Sequence, residues 1–275
     1  MVPFVRQFSV KRIRGSESER VLDAVATEEP LEIRVRYWFK DTAMTQSVAV
    51  TMRTPGNDRE LTVGFLLAEG IIRSRDDLAE LYPLGGEPSN EVLAELEKHV
   101  DFEAWRMART TFVSSSCGIC GKRSREALAS EVPAWETDAF QVDRSLIERL
   151  PALLGREQAG FAQTGGLHAA AVVDAEGRIE AVFEDIGRHN ALDKLTGWCL
   201  LKGQVPLRDR VLFLSSRSSF ELIQKAAMAG APILATVGGP SSLAIEAAQE
   251  HGITLIGFVR EKRFNIYSGD WRVRV

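Results

Sequence analysis

From Val211 to Val259 the chain alternates between short apolar runs and amphipathic ones. VLFLSS reads as a strand, SSFELIQKAAMAG as a helix, APILATV as a strand, SSLAIEAAQEHG as a helix and ITLIGFV as a strand. Apolar strands separated by helices must bury both faces, so this stretch predicts a mostly parallel sheet with helices on either side. Ser218 and Glu221 form a capping-box pattern at the first of these helices. Gly230 and Gly252 stand where helix C-termini favour glycine. Upstream, LIERLPALL has helical spacing, with Pro151 as a potential break. HAAAVVD (168–174) and IEAVFED (179–185) read as two strands joined by the AEGR turn. Asn190 is placed to cap a helix running to Leu201, with Asp193 three residues on.

The first half has a different pattern. LEIRVRYW (31–38) and QSVAVTMR (46–53) alternate apolar and polar residues, the mark of half-buried strands, and suggest an antiparallel pair. TPGND (54–58) is a turn that opens a helix over Leu61–Leu67, ending near Gly70. Residues 83–95 mix proline, glycine and acids and read as loop, and a further strand over 105–113 leads into SSSCGICGK. With 275 residues, one large or two modest domains are expected at ~100–200 residues each. The reading is an α/β protein in three parts: a smaller α+β N-terminal domain over 1–115, a loop and connecting segment over 116–143, and a second domain over 144–275.

Charge and composition narrow the function. A net charge of −4 exerts no general pull on nucleic acid or anionic membrane, so the cations that matter must act locally. No apolar run reaches the ~18–20 residues that span a bilayer, and the first residues lack a secretory pattern. The 3 cysteines are too few for a disulfide framework, which favours a reducing cytoplasm, where CxxC is more often catalytic or metal-binding than structural.

Two βα turns carry the clearest binding signal. SSRSS (215–219) follows one parallel strand and GGPSS (238–242) the next. In open parallel sheets ligands sit beyond the carboxyl ends of the strands, and helix N-termini there favour phosphate. Ser216, Arg217, Gly238 and Gly239 are therefore candidates, the glycines allowing close backbone approach. The third strand ends in FVREKR (258–263), which adds three cations. Each turn alone is equally readable as a good helix cap. EDIGRHNALDK (184–194) carries Arg188 and His189, which capping does not need, and TGGLHAAAV sets His168 at a strand start.

SSSCGICGK holds Cys117 and Cys120. A zinc site wants a second ligand pair at matching spacing, and the sequence has none. A dithiol redox pair fits if a short helix follows. A covalent carrier also fits: Lys122, Arg123 and Arg125 favour a thiolate, and Gly118 and Gly121 free the loop. Spacing alone leaves these three readings open. Cys199, amid Trp198, Leu200 and Leu201, reads as a core residue.

As a set, MRTPGNDRELTVGFLLAEGII (52–72), SSCGICGK, TGGLHAAA, EDIGRHNALDK, SSRSSFELIQKAAMAGAPILATVGGPSSLAIEAA and GITLIGFVR closely resemble the FdhD family of formate dehydrogenase accessory sulfurtransferases. The resemblance runs from about residue 30 to the end. It implies that sulfur from a cysteine desulfurase is taken up as a persulfide on Cys117, with Cys120 as an auxiliary thiol. The sulfur then passes to the metal of a bis(molybdopterin guanine dinucleotide) cofactor or its tungsten analogue, bound as substrate, for a formate dehydrogenase. It further implies cofactor contacts from Phe258, Val259, Arg260, Glu261, Lys262 and Arg263, a cytidine-deaminase-like three-layer C-terminal domain, and a homodimer. His168, Arg188 and His189 are pocket candidates, and a guanine nucleotide would be a partial mimic of the substrate. Zinc deaminases carry H-x-E followed by P-C-x-x-C. His168-Ala169-Ala170 lacks the glutamate and no PCxxC follows, so no catalytic zinc is expected.

Overall fold

A computed structural model of the chain describes residues 4–86, 88–102, 132, 133, 135 and 139–275. Cys117, Cys120, the expected strand over 105–113 and the helix after the CxxC loop lie outside these described residues.

The chain starts with a ribbon of β1 (Val5–Arg14) and β2 (Glu17–Ala26), for which the sequence reading made no assignment. The expected antiparallel pair follows as β3 (Glu29–Phe39) and β4 (Thr42–Arg53). Lys40 and Asp41 turn between them, both at positive φ, as a two-residue hairpin loop of the twist-compatible kind requires. Leu31, Ile33, Val35 and Tyr37 alternate onto the buried face of β3. They pack in one cluster with Leu61, Val63, Leu66 and Leu67 of α1 (Asp58–Ala68). Residues 83–95, expected as loop, contribute most of β6 (Glu91–Leu96), and β5 (Leu78–Pro83), which carries no clear period, completes a sheet of order β4-β3-β6-β5. EVLAEL has little strand propensity of its own; parallel pairing with β3 and burial of Val92, Ala94 and Leu96 impose the conformation.

Next come β7 (Val142–Asp143), α2 (Arg144–Glu157), which runs on through Pro151, and α3 (Ala159–Thr164). The hairpin β8 (His168–Val173) and β9 (Ile179–Asp185) forms as expected. It is followed by α4 (Arg188–Leu201), β10 (Val211–Leu214), α5 (Phe220–Met228), β11 (Ile233–Thr236), α6 (Ser242–Glu250), β12 (Thr254–Arg260) and β13 (Arg263–Ser268). The short β14 (Val273–Arg274) pairs with β7. The second sheet has the order β13-β12-β11-β10-β8-β9. Only β10, β11 and β12 are parallel; β8, β9 and β13 run against their neighbours, so the sheet is mixed rather than mostly parallel.

Alternate strand residues separate the faces of this sheet. Ala170, Val172, Leu212, Leu214, Leu234 and Leu255 pack with α4, α5 and α6, while Ala171, Val173, Phe213, Ile233 and Ile256 pack with Leu146, Ile147 and Leu150 of α2. The result is three layers. The first cluster also takes in the β3 and α1 residues, so one core reaches across both halves of the chain. Gly64 of α1 and Gly197 of α4 let those helices touch: a Cβ on Gly197 would overlap the Glu60 carbonyl, and one on Gly64 the Asp193 carbonyl. No described helix is long and apolar enough to cross a membrane.

Candidate functional site

The strands β8 and β10 run antiparallel, so the start of β8 lies beside the end of β10. His168 opens β8, opposite Asp185 at the end of β9, and Arg188 opens α4 three residues later. These residues meet the turns that follow β10 and β11 in a pocket of about 260 Å³ lined by His168, Arg188, Ser215, Ser216, Arg217, Val237 and Gly238. Residues from four separate segments, each carrying its own motif, are thus brought to one place at the carboxyl ends of β10 and β11. Ser215 and Val237 were not singled out beforehand. Ser215 stood within SSRSS, but its role of accepting the Ala169 N–H through Oγ at 2.9 Å is a tertiary contact with no local signature.

The two turns are tied to each other. Gly238 N–H donates to Ser216 O (2.9 Å), Ser218 N–H to Gly239 O (3.3 Å) and Ser241 N–H to Ser218 O (3.1 Å). Ser241 also caps α6 through its Oγ, which accepts from Ala244 N–H at 3.2 Å. These amides, expected to face a ligand, are occupied within the protein. The polar side chains that line the pocket are those of His168, Arg188, Ser215, Ser216 and Arg217. The expected cap of α5 shifts by one residue, from Ser218 to Ser219.

The glycines permit close packing. A Cβ on Gly238 would lie 2.7 Å from Arg217 Cγ, and one on Gly239 would lie 2.5 Å from the Phe258 ring. Phe258 adopts a φ of 53° at an irregularity in β12, and its N–H donates to Gly238 O at 3.0 Å. Arg260 reaches back over the same wall, donating from Nη1 to Val237 O at 2.7 Å and to Val259 O at 2.8 Å. Phe258 and Arg260 therefore border the pocket. Glu261 and Lys262 form the exposed β12–β13 turn and Arg263 opens β13, also exposed; none of the three lines the pocket. The Val259 side chain is fully buried in the α2-side core, so this residue has only its backbone to offer a ligand.

His189 points to α5 instead of the pocket. Its Nε2 lies 3.4 Å from Ser219 Oγ and 3.9 Å from Glu221 Oε2. Burial, helped by the charges of Lys225, Arg188 and then His168, lowers its pKa to about 3. His168 is lowered as well, by burial first and then by Arg188, against the opposing carboxylate of Asp185. Both imidazoles are accordingly neutral at pH 7. Lys225 is held by Asp193 at 2.7 and 2.8 Å and is a screened charge.

Asn190 does not cap α4. Gly187 takes the N-cap position, and the Asn190 amide donates to Met52 O (2.7 Å) and Asp185 Oδ1 (3.1 Å). The Glu184 carboxylate instead caps α3, accepting from Gly160 and Phe161 N–H at 2.7 and 2.8 Å. Cys199 is fully buried, and burial raises its thiol pKa to about 12, as its helical context suggested.

A family model described as FdhD/NarQ family matches residues 26–274. The chain is 42% identical over 272 residues to a protein of Mycobacterium bovis named sulfur carrier protein FdhD, covering 94% of this chain and 95% of that one. Proteins of the same name from Streptomyces avermitilis and Saccharolobus solfataricus are 40% and 37% identical, with coverages of 96% and 94% and of 98% and 98%. The fold matches a crystal structure of a candidate formate dehydrogenase accessory protein from Desulfotalea psychrophila, with a TM-score of 0.76, 22% identity, and coverage of 99% of this chain and 100% of that one. Family model, relatives and fold agree over nearly the whole length, and the chain belongs to the FdhD/NarQ family.

Proposed function

We propose that this protein is a sulfur carrier serving formate dehydrogenase. It accepts sulfur from a cysteine desulfurase on Cys117 and delivers it to a bis(molybdopterin guanine dinucleotide) cofactor, which it binds as substrate. The observation that carries the reading is the convergence of His168, Arg188, Ser216 and Arg217 on one pocket in a chain whose relatives are named sulfur carriers. Loading is an exchange of S–S bonds. The Cys117 thiolate attacks the terminal sulfur of the donor persulfide, and the donor thiolate leaves with no net oxidation. Cys120 stands by as a second thiol.

The cofactor's phosphates are the part of this substrate that the pocket suits. Arg188 and Arg217 supply permanent charge, and guanidinium groups match phosphate geometry. The Ser216 hydroxyl, which donates to Arg217 O at 3.0 Å, would turn to meet a phosphate, and neutral His168 can take up a proton as an anion arrives. Phe258 and Arg260, at the pocket's edge, are next in reach, with Lys262 and Arg263 behind them. The three-layer second half is read as deaminase-like in arrangement and without a deaminase's H-x-E. The reading includes a cytoplasmic protein that works as a homodimer.

One experiment separates loading from cargo binding. Purified protein is incubated with a cysteine desulfurase and sulfur-labelled cysteine, labelled peptides are mapped by mass spectrometry, and guanosine diphosphate binding is followed by calorimetry. Cys117→Ala is expected to lose the label and keep nucleotide affinity. Arg188→Ala should keep the label and bind guanosine diphosphate about tenfold more weakly, the loss of one charge-assisted contact. Label retained on the loop of Cys117→Ala would overturn the carrier assignment.

A further inference from the structure

Two motifs remain unexplained by a sulfur carrier: MRTPGND and the residues of EDIGRHNALDK other than Arg188 and His189. They are distant in sequence and meet at one carboxylate. Asp185 has a fully buried side chain and does not line the pocket. Its Oδ1 accepts from Gly187 N–H at 2.8 Å and from the Asn190 amide at 3.1 Å. Its Oδ2 accepts from Thr54 N–H at 3.1 Å and lies 2.7 Å from Lys194 Nζ. Lys194 donates in turn to Thr54 O at 2.8 Å, and Thr54 Oγ1 accepts from Ile186 N–H at 3.1 Å. Asn190 completes the link by donating to Met52 O and accepting from Thr51 Oγ1. The turn that delivers Arg188 to the pocket is thereby fastened to the end of β4, and His168 stands opposite Asp185 in the β8–β9 pair.

We infer that Asp185 is a positioning residue for the anion pocket. It latches the Asp185–Arg188 turn to the Met52–Thr54 segment, so that Arg188 and His168 are set in place before a ligand arrives. Buried partners that fix the groups touching a ligand set affinity without touching it themselves. The inference rests on the phosphate-binding reading of the pocket.

The sign of the effect separates positioning from plain electrostatics. Asp185 is the negative charge facing His168, alongside the positive Arg188. Coulomb's law alone predicts that removing this charge tightens binding of an anion; loss of positioning predicts weaker binding. Asp185→Asn cannot serve both sides, because its amide nitrogen would face the Thr54 N–H or the Gly187 N–H. The double variant Asp185→Asn/Lys194→Met removes both charges of the buried pair, leaving no stranded ammonium and no change in net charge. Guanosine diphosphate affinity is measured by calorimetry on the folded protein, with thermal unfolding and amide hydrogen exchange alongside. Both variants are expected to bind about tenfold more weakly. The Thr54 and Gly187 amides should lose protection together. If Asp185→Asn alone does not fold, the double variant decides. Equal or tighter nucleotide binding in a folded variant would overturn the inference, as would Gly187 losing protection while Thr54 keeps it. Wild-type protein that binds no guanosine diphosphate would count against the phosphate reading instead, and the paired exchange of Thr54 and Gly187 would still test the latch.

Discussion

His189 shows how one side chain can contribute stability without entering the pocket. Burial and three neighbouring positive or protonatable groups hold its folded-state pKa at about 3, against an unfolded value of 6.5. Below pH 6.5 the unfolded chain binds a proton that the folded chain refuses. The stability contribution is therefore whole above pH 6.5 and is lost as pH falls from there toward 3. Chemical denaturation at pH 7 and pH 5 should show a loss, of which about 2 kcal/mol belongs to His189. His189→Gln should shrink the difference between the two pH values by that amount; an unchanged difference would mean that the imidazole is not held neutral. The sequence pointed to His189 because Arg188 and His189 exceed what a helix cap needs. It could not separate them: consecutive residues on a helix point 100° apart, so Arg188 lines the pocket and His189 meets α5.

Among the elements, the pair α1 and α4 is the most restrictive. Their backbones meet at Gly64 and Gly197 with no side chain between that could yield. Gly197→Ala would place its methyl against the Glu60 carbonyl and 2.6 Å from the Gly64 nitrogen. It should cost about 3 kcal/mol in chemical denaturation, the upper end for overpacking. Gly155→Ala is the control. That glycine lies in α2 with nothing within 4 Å of its would-be Cβ, so alanine there should stabilise by about 0.5–1 kcal/mol. The strong elements were legible where a period was clear: β3, β4, α1, the β8–β9 hairpin and the run from β10 to β12. The ribbon β1–β2 and strand β6 were not. In EVLAEL the strand conformation comes from the partner β3, which lies some sixty residues away in the chain.

For the whole molecule, the shared core has a thermodynamic consequence. Leu31, Ile33, Leu61 and Leu66 from the first half are in one buried cluster with Leu192, Leu195, Leu212 and Ile223 from the second. The Asp185 latch joins the same halves through buried charge and hydrogen bonds. Neither half could unfold without exposing the other's apolar surface. Scanning calorimetry should record one cooperative transition, with calorimetric and van't Hoff enthalpies equal. Two resolved transitions would show that the 1–115 and 144–275 segments fold as separate units.

Hydrophobic period and turn chemistry, which are local, determined most of the described helices and half of the described strands, the buried state of Cys199, and which segments carry surplus polar residues. The motif set determined the family. Tertiary structure alone decided which of those polar residues meet. It put His168, Arg188, Ser216, Arg217 and Gly238 around one pocket and turned Gly239 toward Phe258. It buried Val259 in the α2-side core. It also spent Asp185, Asn190 and Lys194 on holding a distant strand end. The reason is that strand pairing and burial of charge join residues far apart in the chain, from some sixty positions between β3 and β6 to 131 between Thr54 and Asp185, and a local pattern carries no record of them.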